Sequence, residues 1–114
     1  ALSYIGGEKA VKNYNVMGVA KSALESSIRY LAADLGPKNI RANAISAGPM
    51  RTLAARGLKD FAVMYDGMKE KAPLKRNITT TEVGDTATFL CSDLASGITG
   101  EILHVDAGYH AVGV

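Results

Sequence analysis

Met17, Ala20, Leu24, Ile28, Leu31 and Leu35 follow one another at steps of three and four residues, inside a stretch from about Asn13 to Leu35. That spacing predicts one long helix with a single apolar face, stopped by Gly36-Pro37. At about 1.5 Å per residue it would be roughly 33 Å long, enough to cross a sheet. Short apolar runs without helical period lie on either side. Residues 1–4 read as the end of a strand, followed by a loop that holds Gly6-Gly7 and charges up to Lys12. Ile40 to Ile45 reads as a second strand, ended by the turn signal Ala47-Gly48-Pro49. Strand, long helix and strand make a βαβ unit, so the strands are expected to be parallel and the crossover right-handed.

The pattern then shortens. Residues 50–58 read as a loop or weak helix, and Asp60 to Lys71 as a helix with Phe61, Met64 and Met68 on one stripe. Thr79-Thr80-Thr81-Glu82 offers hydroxyl caps and a first-turn carboxylate for a helix to Ser92 that buries Val83, Ala87, Leu90 and Cys91. Glu101 to Val105 is the last strand, before Gly108. With no repeat and no linker, residues 1–114 are expected to be one piece of an α/β domain with a doubly wound parallel sheet. The chain opens at Ala1-Leu2-Ser3-Tyr4, already inside a strand, so it is expected to belong to a longer chain.

Composition narrows the function classes. The chain is 47% apolar and 21% charged, ordinary for a globular protein. No run approaches the roughly 18 apolar residues of a membrane span. A net charge of +2 is too mild to suggest nucleic acid. Cys91 is the single cysteine, which fits a reducing compartment, and a cytoplasmic protein is expected.

The candidate chemistry lies at Tyr4, Tyr14 and Lys21, spaced Tyr-X9-Tyr-X6-Lys. Seven helical steps turn about 700°, so Tyr14 and Lys21 share a face two turns apart. An ammonium there lowers the cost of a developing phenolate, shifting a tyrosine pKa below its usual value of about 10. Such a phenol can donate to an oxygen gaining negative charge, and the lysine can hold the hydroxyls of a cofactor ribose. By spacing alone the signal is weak, because tyrosine and lysine fall seven apart by chance and a solvated lysine is the common outcome.

The residues around the triad carry a resemblance. Leu2-Ser3-Tyr4, Asn13-Tyr14-Asn15-Val16-Met17-Gly18 and Ala20-Lys21 are similar to the active-site segment of the enoyl-acyl-carrier-protein reductases, a divergent branch of the short-chain dehydrogenase/reductases. The similarity continues through Ile40-Arg41-Ala42-Asn43-Ala44-Ile45-Ser46-Ala47-Gly48-Pro49 and Arg51-Thr52-Leu53-Ala54-Ala55, resumes at Glu82-Val83-Gly84-Asp85, and closes with Gly100-Glu101 and His104-Val105-Asp106. Ketone-reducing members of the superfamily mostly place three residues between tyrosine and lysine. Here Gly18 stands at that offset from Tyr14, and Glu8 at that offset from Tyr4.

The resemblance implies the C-terminal catalytic part of a Rossmann-like domain, with the dinucleotide-binding half upstream. It implies reduction of a trans-2-enoyl thioester carried on acyl carrier protein, with NADH or alternatively NADPH as cofactor, in a homotetramer. Tyr14 would contact the thioester carbonyl and stabilise the enolate, Lys21 would bind the nicotinamide ribose, and Tyr4 would be a second tyrosine lining the site. The loop Ala47, Gly48, Pro49, Met50, Arg51, Thr52, Leu53 and Ala54 would meet the cofactor, with the backbone near Met50 at the carboxamide and Thr52 near the pyrophosphate. That loop also sits where ligands bind in open α/β sheets, beyond the carboxyl ends of strands. Ala54, Ala55, Leu58 and Phe61 would form a lid over the fatty chain, with Met17 opposite.

Other residues are set aside. His104 and His110 lack metal-site spacing and read as structural, with no metal expected. Cys91 reads as inert core and Asp106 as a turn residue. Residues 59–76 hold five basic and three acidic side chains, read as a solvated face although acyl carrier protein is acidic. Two rival functions stay open: a carbonyl-reducing member of the same superfamily, and a non-enzymatic remnant that only packs or binds.

Overall fold

The computed structural model describes residues 1–57 and 59–112, with the backbone alone at positions 54 and 56. Three parallel strands, β1 (Leu2–Ser3), β2 (Ala44–Ala47) and β3 (Ile102–Val105), form one sheet in the order β1-β2-β3. Leu2, Ile45 and Leu103 stand in register across it, as do Ser3, Ser46 and His104. Strand alternation therefore puts Ile45, Ala47, Leu103 and Val105 on one face and Ser3, Ser46 and His104 on the other. Helix α3 (Thr80–Cys91) covers the apolar face, where Val83 and Leu90 pack with Ile45, Ala47, Ala95 and Ala107. Helix α1 (Asn15–Leu35) lies on the serine face, where the Glu25 carboxylate accepts a hydrogen bond from the Ser3 hydroxyl. Helices on both faces of a parallel sheet give the expected doubly wound arrangement.

Helix α1 starts at Asn15 rather than Asn13, because Asn13 has a φ of 63° and Tyr14 stands at the cap. Its buried face also departs from the expected stripe. Ile28 and Ala32 are buried, but Met17, Ala20 and Leu31 are exposed, and the mid-helix position turned inward is Glu25. The helix rests on a two-residue strand and the loop after it, too little surface to cover the whole apolar stripe.

Strand β2 runs Ala44–Ala47 rather than Ile40–Ile45. Residues 41–43 are tied to the loop before β3 instead of to a ladder. Arg41 donates to the carbonyls of Ser92 and Ile98 at 3.2 Å, and Asn43 Nδ2 donates to that of Ile98 at 2.9 Å. Helix α2 (Phe61–Lys71) follows a 3₁₀ turn, Ala54–Gly57, and buries Met68 against Tyr4 and Ile5. Helix α3 opens with the expected cap: the Thr79 hydroxyl accepts from the Glu82 amide while the Glu82 carboxylate accepts from the Thr79 amide. Cys91, expected in the core, is exposed, because Leu90 takes the inward position where the helix ends. No helix among the described residues is long and apolar enough to cross a membrane.

Candidate active site

Tyr4 follows β1 in extended conformation (φ −153°, ψ 151°), which carries its ring off the carboxyl end of the sheet. There it is buried against Ile5 and Met68. Its hydroxyl reaches the thioether sulfurs of Met64 and Met68 at 3.4 and 3.5 Å, both weak acceptors. The Tyr14 ring meets it edge-on, with centroids 4.9 Å apart and planes at 69°. Close backbone contact fixes this pair. A Cβ at position 18 would come within 2.7 Å of the Gly6 carbonyl oxygen, so glycine there lets the loop after β1 lie directly on the first turn of α1. The Ser22 hydroxyl donates to the Gly7 carbonyl one turn further on.

Burial decides the tyrosine electrostatics. Tyr4 is pushed up to about 12, first by loss of water around the ring and then by the neighbouring Tyr14 and Tyr109. Tyr14, half-buried, is raised by the same loss of water. The ammonium was expected to lower a tyrosine pKa, yet burial governs the direction, and Lys21 Nζ donates to the Leu2 carbonyl at 2.9 Å. Both phenols are accordingly neutral donors across the physiological range, the state needed to give a hydrogen bond to an incoming oxygen.

Tyr4, Tyr14, Met17 and Lys21 line one side of a cleft of about 380 Å³, and Ala47, Gly48, Pro49, Met50, Thr52, Ala55 and Phe61 line the other. Residues that the sequence reading assigned to catalysis, cofactor and substrate thus meet in one place. Lysine has three donors and one is taken by Leu2, so Lys21 can still hold hydroxyls of a ribose. The Gly48-Pro49-Met50 backbone lies beyond β2, where a carboxamide could be met. These residues fit the nicotinamide end of a dinucleotide.

Two of the expected residues stand apart from the lining. Arg51 places its guanidinium over the Tyr65 ring, 5.0 Å from the centroid, and Leu53 is 83% exposed. Leu58 and the side chain of Ala54 lie outside the described residues. The cleft also takes in Leu2, Ser3 and Met64, which sequence reasoning did not assign to it. Met64 could have been found, since it follows Phe61 by one turn on the same stripe. A second groove, about 490 Å³, runs along residues 6–11 and the start of α1 and shares only Tyr14 with the triad.

The two histidines come together although nothing in their spacing announced it. His104 Nε2 lies 2.9 Å from a Glu8 carboxylate oxygen, and His110 Nδ1 lies 2.9 Å from Asp106. The rings stack with centroids 4.0 Å apart. Asp106 also accepts from the amides of Gly108 and His110, the turn role expected of it. The cluster pins the loop that follows Tyr4 to β3 and the turn after it. Among the described residues, no group of three or more His, Cys, Asp or Glu is placed to hold a metal ion.

Comparison with known proteins places this geometry. The family model described as enoyl-(acyl carrier protein) reductase matches residues 1–110. The enoyl-acyl-carrier-protein reductase (NADPH) FabI of Staphylococcus aureus is 61% identical over 112 residues, covering 98% of this chain and 44% of that protein. The corresponding NADH enzyme of Bacillus cereus is 62% identical over the same length and coverage. The crystal structure of the Bacillus cereus reductase with NADP+ and indole naphthyridinone superimposes with a TM-score of 0.96, covering 99% of this chain and 44% of that one. The Anaplasma phagocytophilum reductase in complex with NAD gives 0.92 at 57% identity, covering 99% and 43%. The chain therefore spans less than half the length of these relatives.

Proposed function

The chain belongs to the enoyl-(acyl carrier protein) reductase family, and from that premise we propose that it is the C-terminal catalytic part of such a reductase, working with a dinucleotide-binding half of the kind its relatives' greater length accommodates. The reaction is reduction of a trans-2-enoyl thioester carried on acyl carrier protein, in the cytoplasm, by a homotetramer. The observation that carries this reading is the convergence of Tyr4, Tyr14, Lys21 and the Gly48-Pro49 loop on one cleft.

A bound nicotinamide cofactor, NADH or NADPH, supplies a hydride for the β-carbon of the enoyl group. The chain's own residues do the rest. Lys21 holds the ribose with the donors that Leu2 leaves free. Tyr14, a neutral phenol whose pKa burial raises further, donates to the thioester oxygen as it becomes an enolate, and the enolate then takes a proton from solvent at the α-carbon. A donor already in place acts on that developing charge with little reorganisation. Met17, Ala55 and Phe61 offer the apolar lining an acyl chain needs, at about 0.8 kcal/mol per buried methylene.

The test is turnover of the full-length protein on crotonyl and 3-oxoacyl thioesters with NADH and NADPH. Oxidation of the nicotinamide by the enoyl substrate alone is expected. Comparable oxidation by the 3-oxoacyl substrate would make it a carbonyl reductase, and none by either would leave a binding or structural role.

A further inference from the structure

Helix α1 turns a carboxylate into the protein where its apolar stripe predicts a hydrocarbon. Glu25 is 5% exposed and lies one turn beyond Lys21. Among the described residues no cation lies within ion-pairing distance of it, and its hydrogen-bond partner is the Ser3 hydroxyl, itself 5% exposed. Burying a carboxyl group without a cation carries a cost that a leucine would not, so the position needs another explanation. Its surroundings provide one. Lys21 grips the Leu2 carbonyl at 2.9 Å and Glu25 grips the Ser3 side chain, so two residues one turn apart on α1 hold the two residues immediately before Tyr4. The loop beyond Tyr4 closes over the same carboxylate. A Cβ on Gly7 would approach Glu25 Oε1 to 2.7 Å. Ser46 stands beside Ser3 in the register, and its buried hydroxyl has no hydrogen-bond partner among the described residues. The serine face of the sheet beneath the cleft is thus a polar seam centred on Glu25.

We propose that Glu25, acting through Ser3, is a positioning residue for the reductase reaction: it sets the backbone of Leu2-Ser3-Tyr4 and with it the placement of the Tyr4–Tyr14 pair. The inference rests on the reductase reading above. It goes further by giving a role to a residue that touches neither substrate nor cofactor. β1 is two residues long, so its few ladder bonds fix the direction of Tyr4 poorly and the side-chain grip from α1 completes the job. A misplacement of about 1 Å at a reacting group can cost up to about a hundredfold in rate.

The experiment uses the full-length protein with Ser3→Ala, Glu25→Leu, Glu25→Gln and the Ser3→Ala/Glu25→Leu pair. Gln keeps a carbonyl acceptor for the Ser3 hydroxyl and Leu does not. Ser3→Ala and Glu25→Leu are each expected to lower kcat by about tenfold, with KM for enoyl thioester and cofactor changed less than about twofold. The double variant should be no worse than either single one, and Glu25→Gln should restore most of kcat. Hydrogen exchange gives a readout independent of turnover: amides of residues 3–7 should exchange faster in the Ala and Leu variants but not in Gln, with β3 unchanged. Unaltered kcat and unaltered exchange in Ser3→Ala overturn the proposal, even if Glu25→Leu fails to fold. A general loss of protection, including β3, overturns it in favour of plain stability. If the unmutated protein does not reduce enoyl thioesters, the functional reading falls, and the exchange measurement still decides whether Glu25 positions this segment.

Discussion

The two walls of the cleft are built on different principles. On one side, Tyr4, Tyr14 and Lys21 are held by long-range ties. Glycine 18 lies against the Gly6 carbonyl, Lys21 and Glu25 reach across to β1, and Glu8 reaches His104, 96 positions away. On the other side, the described bonds of residues 50–57 are local. The Thr52 amide donates to Met50, and the Ala55 amide donates to the Thr52 hydroxyl at 3.2 Å, while Leu53 is 83% exposed. The first wall holds the groups proposed to react, where a small displacement is costly. The second is tied by local bonds among the described residues, the anchoring expected of a segment proposed to move aside for a long acyl chain. One cleft thus joins a preorganised surface to an adaptable one.

The largest effects should follow from breaking the rigid wall. Tyr14→Phe removes the only hydroxyl proposed to meet the enolate and leaves the ring contact with Tyr4 intact. In the full-length protein kcat should fall by about 10²–10³-fold, the range for losing a preset donor to a developing oxyanion, with melting temperature nearly unchanged. Lys21→Ala should in addition weaken cofactor binding by about tenfold, equivalent to about 1.4 kcal/mol, read by fluorescence titration. Lost turnover with unchanged cofactor affinity would make Lys21 purely catalytic and separate it from the ribose. Comparable activity in Tyr14→Phe would show that this wall is not where the chemistry happens.

An intermediate effect is expected on the adaptable wall, and it concerns dynamics before rate. In the full-length protein without ligand, amides of residues 50–57 should exchange faster than those of α1. Adding oxidised cofactor and an apolar ligand should protect them, because fresh contact with Ala55 and Phe61 offsets the entropy of fixing the loop. If these amides already match α1 in protection without ligand, the contrast between the walls disappears.

Much of this contrast was legible in the sequence, and the limits are instructive. The helix periods placed α1, α2 and α3 to within two residues, because each is set by local spacing and a cap or breaker: Gly36-Pro37 for one, Thr79 with Glu82 for another. The strands were less legible. Ile40 and Arg41 read as strand, but the Arg41 guanidinium and Asn43 amide bind carbonyls more than 50 positions away, and no local pattern encodes that. The motif named most of the residues that meet in the cleft, whose roles are proposed here, but it did not foretell their electrostatics. Spacing put a cation near Tyr14, whereas the burial that raises its pKa comes from how the loop folds over it. Glu25 and the Glu8–His104 pair were missed for the same reason: their partners are 22 and 96 positions apart and are brought together by the topology.

The smallest effect should come from a region that belongs to neither wall, which makes it the control for both. Glu82 closes the cap of α3, on the opposite face of the sheet, and is gripped by both guanidinium nitrogens of Arg76 at 2.7 and 3.0 Å. Those bonds, followed by the bond from the Thr79 amide, hold its carboxyl down to about 2, against an ordinary value of 4.5. A carboxyl depressed in the folded state favours folding fully above its unfolded value, and that contribution is lost as pH falls from about 4.5 toward 2. Stability should therefore decline over that window in the unmutated protein. Glu82→Gln keeps an acceptor for the Thr79 amide but has no charge to lose. Its melting temperature at pH 6 should be lower by a few degrees at most, and its further decline between pH 6 and pH 3 should be shallower than that of the parent. The pair is exposed, so added salt should shrink the difference. Turnover at neutral pH should not change, since nothing at the cap touches the cleft. Identical acid profiles for the two proteins would show that the Arg76 grip contributes nothing. A fall in neutral turnover would mean that α3 communicates with the site through β2, and that the rigid wall extends through the sheet.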